Sequence, residues 1–465
     1  MQNNAELIPD IPWQASFYEE KHRQGESVYF DVDDFSEVID HYSFSGEHNS
    51  AMNALEDALN VHPYAPALLL RKAQLLAATD NEEEALKILD ELTQLDPDNT
   101  DVNLTRAAVF SQLKQYEKAI EEYKRIVTDA DEPDFVYCNI AFEYENMGNY
   151  DKTLEYLSKA LELNPKNDLA IYEAAYCFDL LSLTEEGIRF FERLIDKHPY
   201  SADAWFNLGV SFINAGMFEK ALDALDYAIA IDPEHEHAWF HKGYALNLLE
   251  RYPEAIDAFS HSLSPDEADP MKFYHLGDCH EKLENYSQAF TYYQRTVEAD
   301  PAVADAWIGM GVCEMELGRA SGARFYFNKG LELEPGNESY LCLMANTYIS
   351  SGDTKQAIEL FEKALVLESA DQETYLEYAR AMAELPDYDS SVSILRRALL
   401  IFEPGAALLY HLGTFLCLSG RSAEGLFHFE EALNLQADAA AQVLEDFPAL
   451  LKIEGMLSLL ERYPA

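Results

Sequence analysis

Ala202 to His235 reads ADAWFNLGVSFINAGMFEKALDALDYAIAIDPEH, and this stretch of 34 residues decides the fold. Trp205, Leu208, Gly209 and Phe212 fall at helical spacing. So do Ala221, Leu225 and Ala228, with Asn214-Ala215-Gly216 as the break between the two groups. Pro233 then ends the second group, because proline cannot continue a helix interior. The stretch predicts a helix, a turn and a second helix.

Working outward, the same frame runs without insertion as twelve windows of 34 residues, from Val32 to Ala439. The eighth position of each window is the sharpest test, since the two helices should touch there and only a small side chain fits. Its occupants are Ile39, Ala73, Ala107, Ala141, Ala175, Gly209, Gly243, Gly277, Gly311, Ala345, Ala379 and Gly413. The facing position of the second helix is small throughout, from Ala51 to Gly425. Four residues further on come large knobs such as Leu89, Leu225, Phe259, Phe327 and Phe429, which fill the space left by the small residues. Ile39 breaks the rule in the first window. Five windows lack the closing proline.

Trp205, Leu208, Gly209, Phe212, Ala221, Leu225, Ala228 and Pro233 match the pattern W-x2-L-G-x2-Y, A-x3-F-x2-A, P at a period of 34. On these residues the chain resembles a long bacterial-type array of tetratricopeptide (TPR) repeats without a catalytic domain. The resemblance implies an all-α fold, an α-solenoid of about twelve helix-turn-helix repeats coiled into a right-handed superhelix. The domains expected are an N-terminal segment over 1–31, the repeats over 32–439 and capping helices over 440–465.

The termini fit that division. After Pro9 and Pro12, Trp13 to Gln24 reads as a short amphipathic helix with Gly25 as its stop; it could cap the first repeat or lie in the groove. Asp31 is placed to N-cap the first repeat helix, with Phe30 and Phe35 as a hydrophobic staple. Beyond Ala439 the pattern fails at Pro448, and Val443, Leu444, Leu450, Leu451, Leu457, Leu459 and Leu460 suit one or two closing helices over the exposed end of the array.

Composition narrows the function. With 465 residues, 48% hydrophobic and 12% aromatic, the chain has material for a packed core, so its charge does not signal disorder. That charge is −51, from 84 acidic against 33 basic residues, which repels phosphate backbones and anionic lipid. Neither nucleic acid nor membrane is expected as a partner. Acidity of this kind first of all supports solubility, and secondly attracts basic clients. Cys138, Cys177, Cys279, Cys313, Cys342 and Cys417 form no Cys-x-x-Cys pair and sit inside predicted first helices, as buried thiols of a reducing compartment would. No basic, apolar leader and no apolar run of about 18 residues occurs, so a cytoplasmic location is expected.

Catalytic motifs are missing: there is no Walker loop and no G-x-S-x-G, and Gly309-x-Gly311 leads to Glu314 where a dinucleotide fingerprint needs glycine. No enzyme activity and no cofactor are expected. His237, His241 and His275 could bring imidazoles together for a metal, but no cysteine or carboxylate is set by spacing to complete the site, and ordinary groove histidines explain them better. His280 and Glu314 replace apolar residues in adjacent repeats. They would form either a hydrogen-bonded pair favouring protonated histidine or two partly exposed side chains.

The resemblance implies a ligand groove walled by the second, fifth, sixth, ninth, twelfth and thirteenth positions of the first helices. In windows four to eight this wall carries Phe142, Tyr172, Tyr176, Phe206, Phe240, Tyr244 and Tyr274. A helical aromatic stripe is ordinarily core. Here Trp205, Trp239, Trp307 and Phe212 already occupy the core seam, so the extra aromatics are expected on a second face. The sixth position holds Asn139, Glu173, Asn207, His241 and His275. In O-GlcNAc transferases, asparagines at equivalent places clasp an extended peptide; Asn139 and Asn207 match, and the others depart. The chaperone-cofactor class of TPR domains grips a C-terminal carboxylate with basic residues, but this wall has only Arg71, Lys282 and Arg380 against fifteen acids, so an acidic tail clamp is not expected. The expected function is a scaffold or adaptor that binds an extended or helical protein segment, neutral to basic, with apolar anchors. The alternatives are a self-associating structural component or a metal-binding or enzyme-associated arm.

Overall fold

The computed structural model describes residues 12–24, 26–264, 269–367, 371–385 and 387–463; Pro9 and Gly25 lie outside them. Among the described residues all regular structure is helical, as 27 α-helices and one short 3-10 helix. First helices begin at Val32, Pro66, Thr100, Pro133, Asp168, Ala202, Glu236, Pro270, Ala304, Glu338, Gln372 and Ala406. Second helices begin at His48, Glu82, Tyr116, Tyr150, Thr184, Phe218, Tyr252, Tyr286, Ala320, Thr354, Tyr388 and Ser422. The chain forms two compact units, Met1–Pro233 and Glu234–Ala465.

Eleven of the twelve helix pairs turn on one left-handed residue at the fifteenth position; in the eleventh window that position is Pro386, outside the described residues. Glycine supplies it at Gly46, Gly148, Gly216, Gly318, Gly352 and Gly420, while Asp80, Lys114, Ser182, Glu250 and Glu284 adopt φ of 55 to 60° despite a Cβ. Where a proline closes the window, the second helix runs 14 residues and stops two before it, as at Leu95 before Pro97 and Ile231 before Pro233. The residue just before proline is held extended, which fixes that end. Without the proline, four of the five second helices stop earlier, at 10 or 11 residues.

Close contact at the eighth position is what makes the pairs stack. A Cβ on Gly209 would lie 2.7 Å from Cγ of Leu225, one on Gly243 2.7 Å from Cδ1 of Phe259, and one on Gly277 2.7 Å from Cδ1 of Tyr293. Where the facing residue is a hydroxyl, it uses the proximity: Thr153 Oγ1 donates to Ala141 O at 3.3 Å and Ser391 Oγ to Ala379 O at 2.8 Å. The knobs Phe191, Leu225, Phe259, Phe327, Phe361 and Phe429 are fully enclosed. Ile39, the exception, is equally buried.

In the first unit, helix Trp13–Arg23 covers the first repeat, which decides between the two places open to it. Tyr18 Oη donates to Asp57 at 2.8 Å and Gln14 Nε2 to Asp34 at 3.2 Å. Asp31 accepts from Asp34 N at 2.9 Å, and Phe30 and Phe35 meet at 5.4 Å between ring centres, which makes the cap and staple real. The second unit ends in three short pieces, Ala440–Asp446, Pro448–Lys452 and Met456–Leu460. Val443, Leu450, Met456 and Leu459 pack with Tyr410 and Phe429, but Leu451 and Leu457 point to solvent, because five-residue helices offer a single buried stripe.

Candidate functional site

In the first unit, neighbouring first helices are tied side by side through their wall positions. Arg71 grips Asp40 with two bonds of 2.9 and 2.6 Å, Tyr172 Oη donates to Asp203 at 3.0 Å, and Asn214 Nδ2 donates to Asp179 at 2.9 Å. Tyr172 and Tyr176 stay 40% and 52% exposed, while Asn139 and Phe142 are half-buried. Beside them stand Glu145 and Glu173. Burial raises both carboxyls above the ordinary range, and the charge of Glu145 adds to the rise at Glu173.

Two wall assignments fail. Phe206 is buried, 6% exposed, with its ring 6.5 Å from that of Tyr172, so this side chain points between first helices rather than out of the wall. Cys138, Ile308, Leu376 and Tyr410, at the same position, are buried too. Asn207 is 4% exposed and turns its Nδ2 onto its own helix, donating to Asp203 O at 2.8 Å, which leaves Asn139 without the neighbour a peptide clasp needs. The tryptophans do pack against the core, but at its edge. Trp205 and Trp307 are only half-buried, each donating Nε1–H at 2.9 Å to a proline carbonyl, of Pro199 and Pro301.

In the second unit, Phe240, Tyr244 and Tyr274 gather around His275 at 5.5 to 5.7 Å, and Phe259 stacks on it at 5.4 Å and 9°. All four wall residues are half-buried. His241 Nδ1 lies 2.9 Å from His237 O, a bond that places its proton on Nδ1. Burial lowers the pKa of both His241 and His275. Among the described residues no three His, Cys, Asp or Glu side chains come together as metal ligands. The His280–Glu314 pair does not form. His280 stacks on Tyr292 at 5.4 Å and 7° and burial lowers its pKa, while Glu314 binds Arg319 at 2.9 Å.

Of the wall cations, Arg71 is taken by Asp40, and Arg380 by Glu373 at 3.3 Å and His411 at 3.1 Å; Lys282 is exposed. The cysteines are all buried, with burial pushing Cys138, Cys177, Cys279, Cys313 and Cys342 up to about 12, so none offers a thiolate. Leu169 and Leu180, 41% and 49% exposed, belong with Tyr172 and Tyr176 but did not stand out in the sequence. The available signal was apolar residues at wall positions of a helix already apolar on its packed face.

Comparison with known proteins gives a consistent family. One model described as "Tetratricopeptide repeat" matches residues 135–167 and 202–235, and a second of the same description matches 45–96, 83–135, 282–346 and 348–412. No curated protein matches. Among solved structures, YrrB, titled "a TPR protein with an unusual peptide-binding site", is 26% identical over 41% of this chain and 97% of its own, with a TM-score of 0.36. Yeast Tom70 is 15% identical over 89% of this chain and 94% of its own, TM-score 0.43. The APC/C hetero-tetramer Cut9-Hcn1 structure is 16% identical over 86% and 92%, TM-score 0.42. No helix of the described residues is long and apolar enough to cross a membrane.

Proposed function

Given that the chain belongs to the tetratricopeptide-repeat family, we propose that it is a non-catalytic scaffold whose first helices hold a segment of another protein. The observation that carries this reading is the exposed Tyr172 and Tyr176 beside half-buried Glu145 and Glu173 in the first unit. Exposed tyrosines supply large contact area at small entropic cost, and such residues dominate binding energy when a partner covers them. The carboxylates repel an acidic partner and favour a neutral or basic one, and a field of this sign also speeds encounter with it. In the second unit the ring of Phe240, Tyr244 and Tyr274 about His275 offers a second apolar anchor point.

The test is site-specific photo-crosslinking in the producing cell. A photoreactive residue at Tyr176 or Tyr244 is expected to capture a partner, and the same residue at Glu91, on the second helix of its repeat, is expected not to. Equal capture at all three positions, or none at the two wall positions, removes the assignment.

A further inference from the structure

Helix Asp168–Leu180, DLAIYEAAYCFDL, is apolar on two faces but packed on one. Ala170, Ile171, Ala174, Cys177 and Phe178 are buried. Leu169, Tyr172, Tyr176 and Leu180 are 40 to 52% exposed and recur at i, i+3, i+7 and i+11, which puts them in one stripe on the far side of the helix. A helix apolar all round is normally enclosed, and an ordered row of exposed large side chains marks an interaction surface.

We infer that this stripe docks an amphipathic helix of a partner protein, with apolar residues at i, i+3/4 and i+7 and Lys or Arg along its flanks. The inference rests on the wall being the binding surface. Two observations select a helix over an extended strand. The stripe runs along one first helix for three turns, about 17 Å, as a helix laid against it would need. It does not continue across to the next first helix, where Asp203, Val210 and Asn214 hold three of the equivalent positions and the fourth, Phe206, is buried. The clasp that would hold an extended backbone is broken, since Asn207 bonds its own helix.

Charge selects the flanks. Asp168 and Asp179 border the stripe on one side and Glu173 on the other, and between Arg71 and Lys282 no wall position holds a Lys or Arg. The charges of Asp203 and Glu145 raise Asp168 and Glu173 further, on top of burial, so acidic groups crowd both flanks of the stripe. A basic flank completes it.

The experiment is selection of random 16-residue displayed peptides on the full chain. Enriched sequences are expected to repeat apolar residues at helical spacing with Lys or Arg between them. A synthetic copy of the most enriched peptide should gain helical circular dichroism on binding. Its affinity should fall at least tenfold with Tyr176→Ser/Leu180→Ser, fall severalfold with a shallower salt dependence with Glu145→Gln/Glu173→Gln, and hold with Phe427→Ser as control. All of these side chains are exposed or half-buried, and thermal melts check that the variants fold. Peptides lacking helical periodicity, or binding Tyr176→Ser/Leu180→Ser unchanged, overturn the inference. If such peptides still lose binding to Phe142→Ser, the wall as binding surface survives and only the helix falls. No enrichment, or enrichment indifferent to every wall substitution, overturns both.

Discussion

The contact between Gly311 and Phe327 offers a direct test of how the repeats stack. A Cβ on Gly311 would lie 2.5 Å from Cδ1 of Phe327, roughly 1 Å inside normal contact. Phe327 is fully enclosed among Ile308, Ala323, Tyr340 and Met344, so its ring has no free space to enter. Overpacking of this kind costs about 1–3 kcal/mol, against which Ala gains about 1 kcal/mol of helix propensity over Gly. Ala175 in the window of Phe191 and Ala345 in that of Phe361 indicate that a repeat with an alanine here can accommodate the ring, which keeps the expected cost to about 2 kcal/mol, the middle of that range. Gly311→Ala should therefore destabilise by about 1 kcal/mol net. Phe327→Leu alone should cost about the same through lost packing. The double variant recreates the pair found at Ala73 and Leu89, at Ala141 and Leu157, and at Ala379 and Leu395. It should be less damaged than the sum, with a coupling of about 1 kcal/mol. Hydrogen exchange resolved by peptide is the assay, because an array opens locally. Faster exchange should be confined to helices Ala304–Glu316 and Ala320–Leu333 and their neighbours. A neutral Gly311→Ala, or a double variant that merely adds, would refute the packing argument.

Ser182→Gly and Lys114→Gly should each stabilise by about 0.5–1 kcal/mol by relieving a left-handed residue, and Gly216→Ala should destabilise by about 1 kcal/mol, as read from denaturant midpoints. His411 accepts from Arg380 Nε at 3.1 Å through Nε2, and its Nδ1 lies 2.8 Å from Ala407 O, an arrangement made for the neutral ring; burial, then the charge of Arg380, lower its pKa. Its contribution is therefore complete above the unfolded value near 6.5 and is lost as pH falls below it, by at most about 1.4 kcal/mol per pH unit. The opening free energy over residues 372–418, from exchange rates corrected for the intrinsic base-catalysed rate at each pH, should fall between pH 7.5 and 5.5, and a His411→Gln variant with an identical pH profile would count against this. Phe30→Ala should cost about 3–5 kcal/mol locally and expose Val32–Val61 to exchange while leaving the other repeats protected.

The helix boundaries were legible because the period, the small eighth position and the caps are all local rules, and each constrains the same residues. First helices begin at the window starts except one, where Pro133 takes the first helical position a residue early. The wall was legible only as a set of helical angles. An angle tells which way Phe206 leaves its helix, but not that neighbouring side chains already occupy that direction, and so Phe206 and Asn207 were placed in the open. Trp205 keeps its contact with the core but is not enclosed by it. Its size suggested core, whereas its indole N–H needs an acceptor and finds it at Pro199 O near the surface. His280 and Glu314 were judged by their proximity in the repeat frame. Each has a better partner nearer at hand, Tyr292 for the ring and Arg319 for the carboxylate.

These misses bear on how one repeat differs from the next in function. Ala202–Asn214 and Asp168–Leu180 obey the same stacking rules at the eighth position, as Gly209 and Ala175. At positions that stacking leaves alone they diverge: Leu169, Tyr176 and Leu180 in one correspond to Asp203, Val210 and Asn214 in the other. Substitution there leaves the helix contacts intact, so its effect on stability is expected within about 0.5 kcal/mol. The same change alters which partner chemistry the surface accepts. Leu180→Asn, which copies the neighbouring repeat, should therefore separate the two properties: an unfolding profile close to the parent, and loss of a helical partner with an apolar residue opposite that site. A Leu180→Asn chain that binds such a partner as before would show that the second, fifth and ninth positions suffice, and would shorten the stripe to Leu169, Tyr172 and Tyr176.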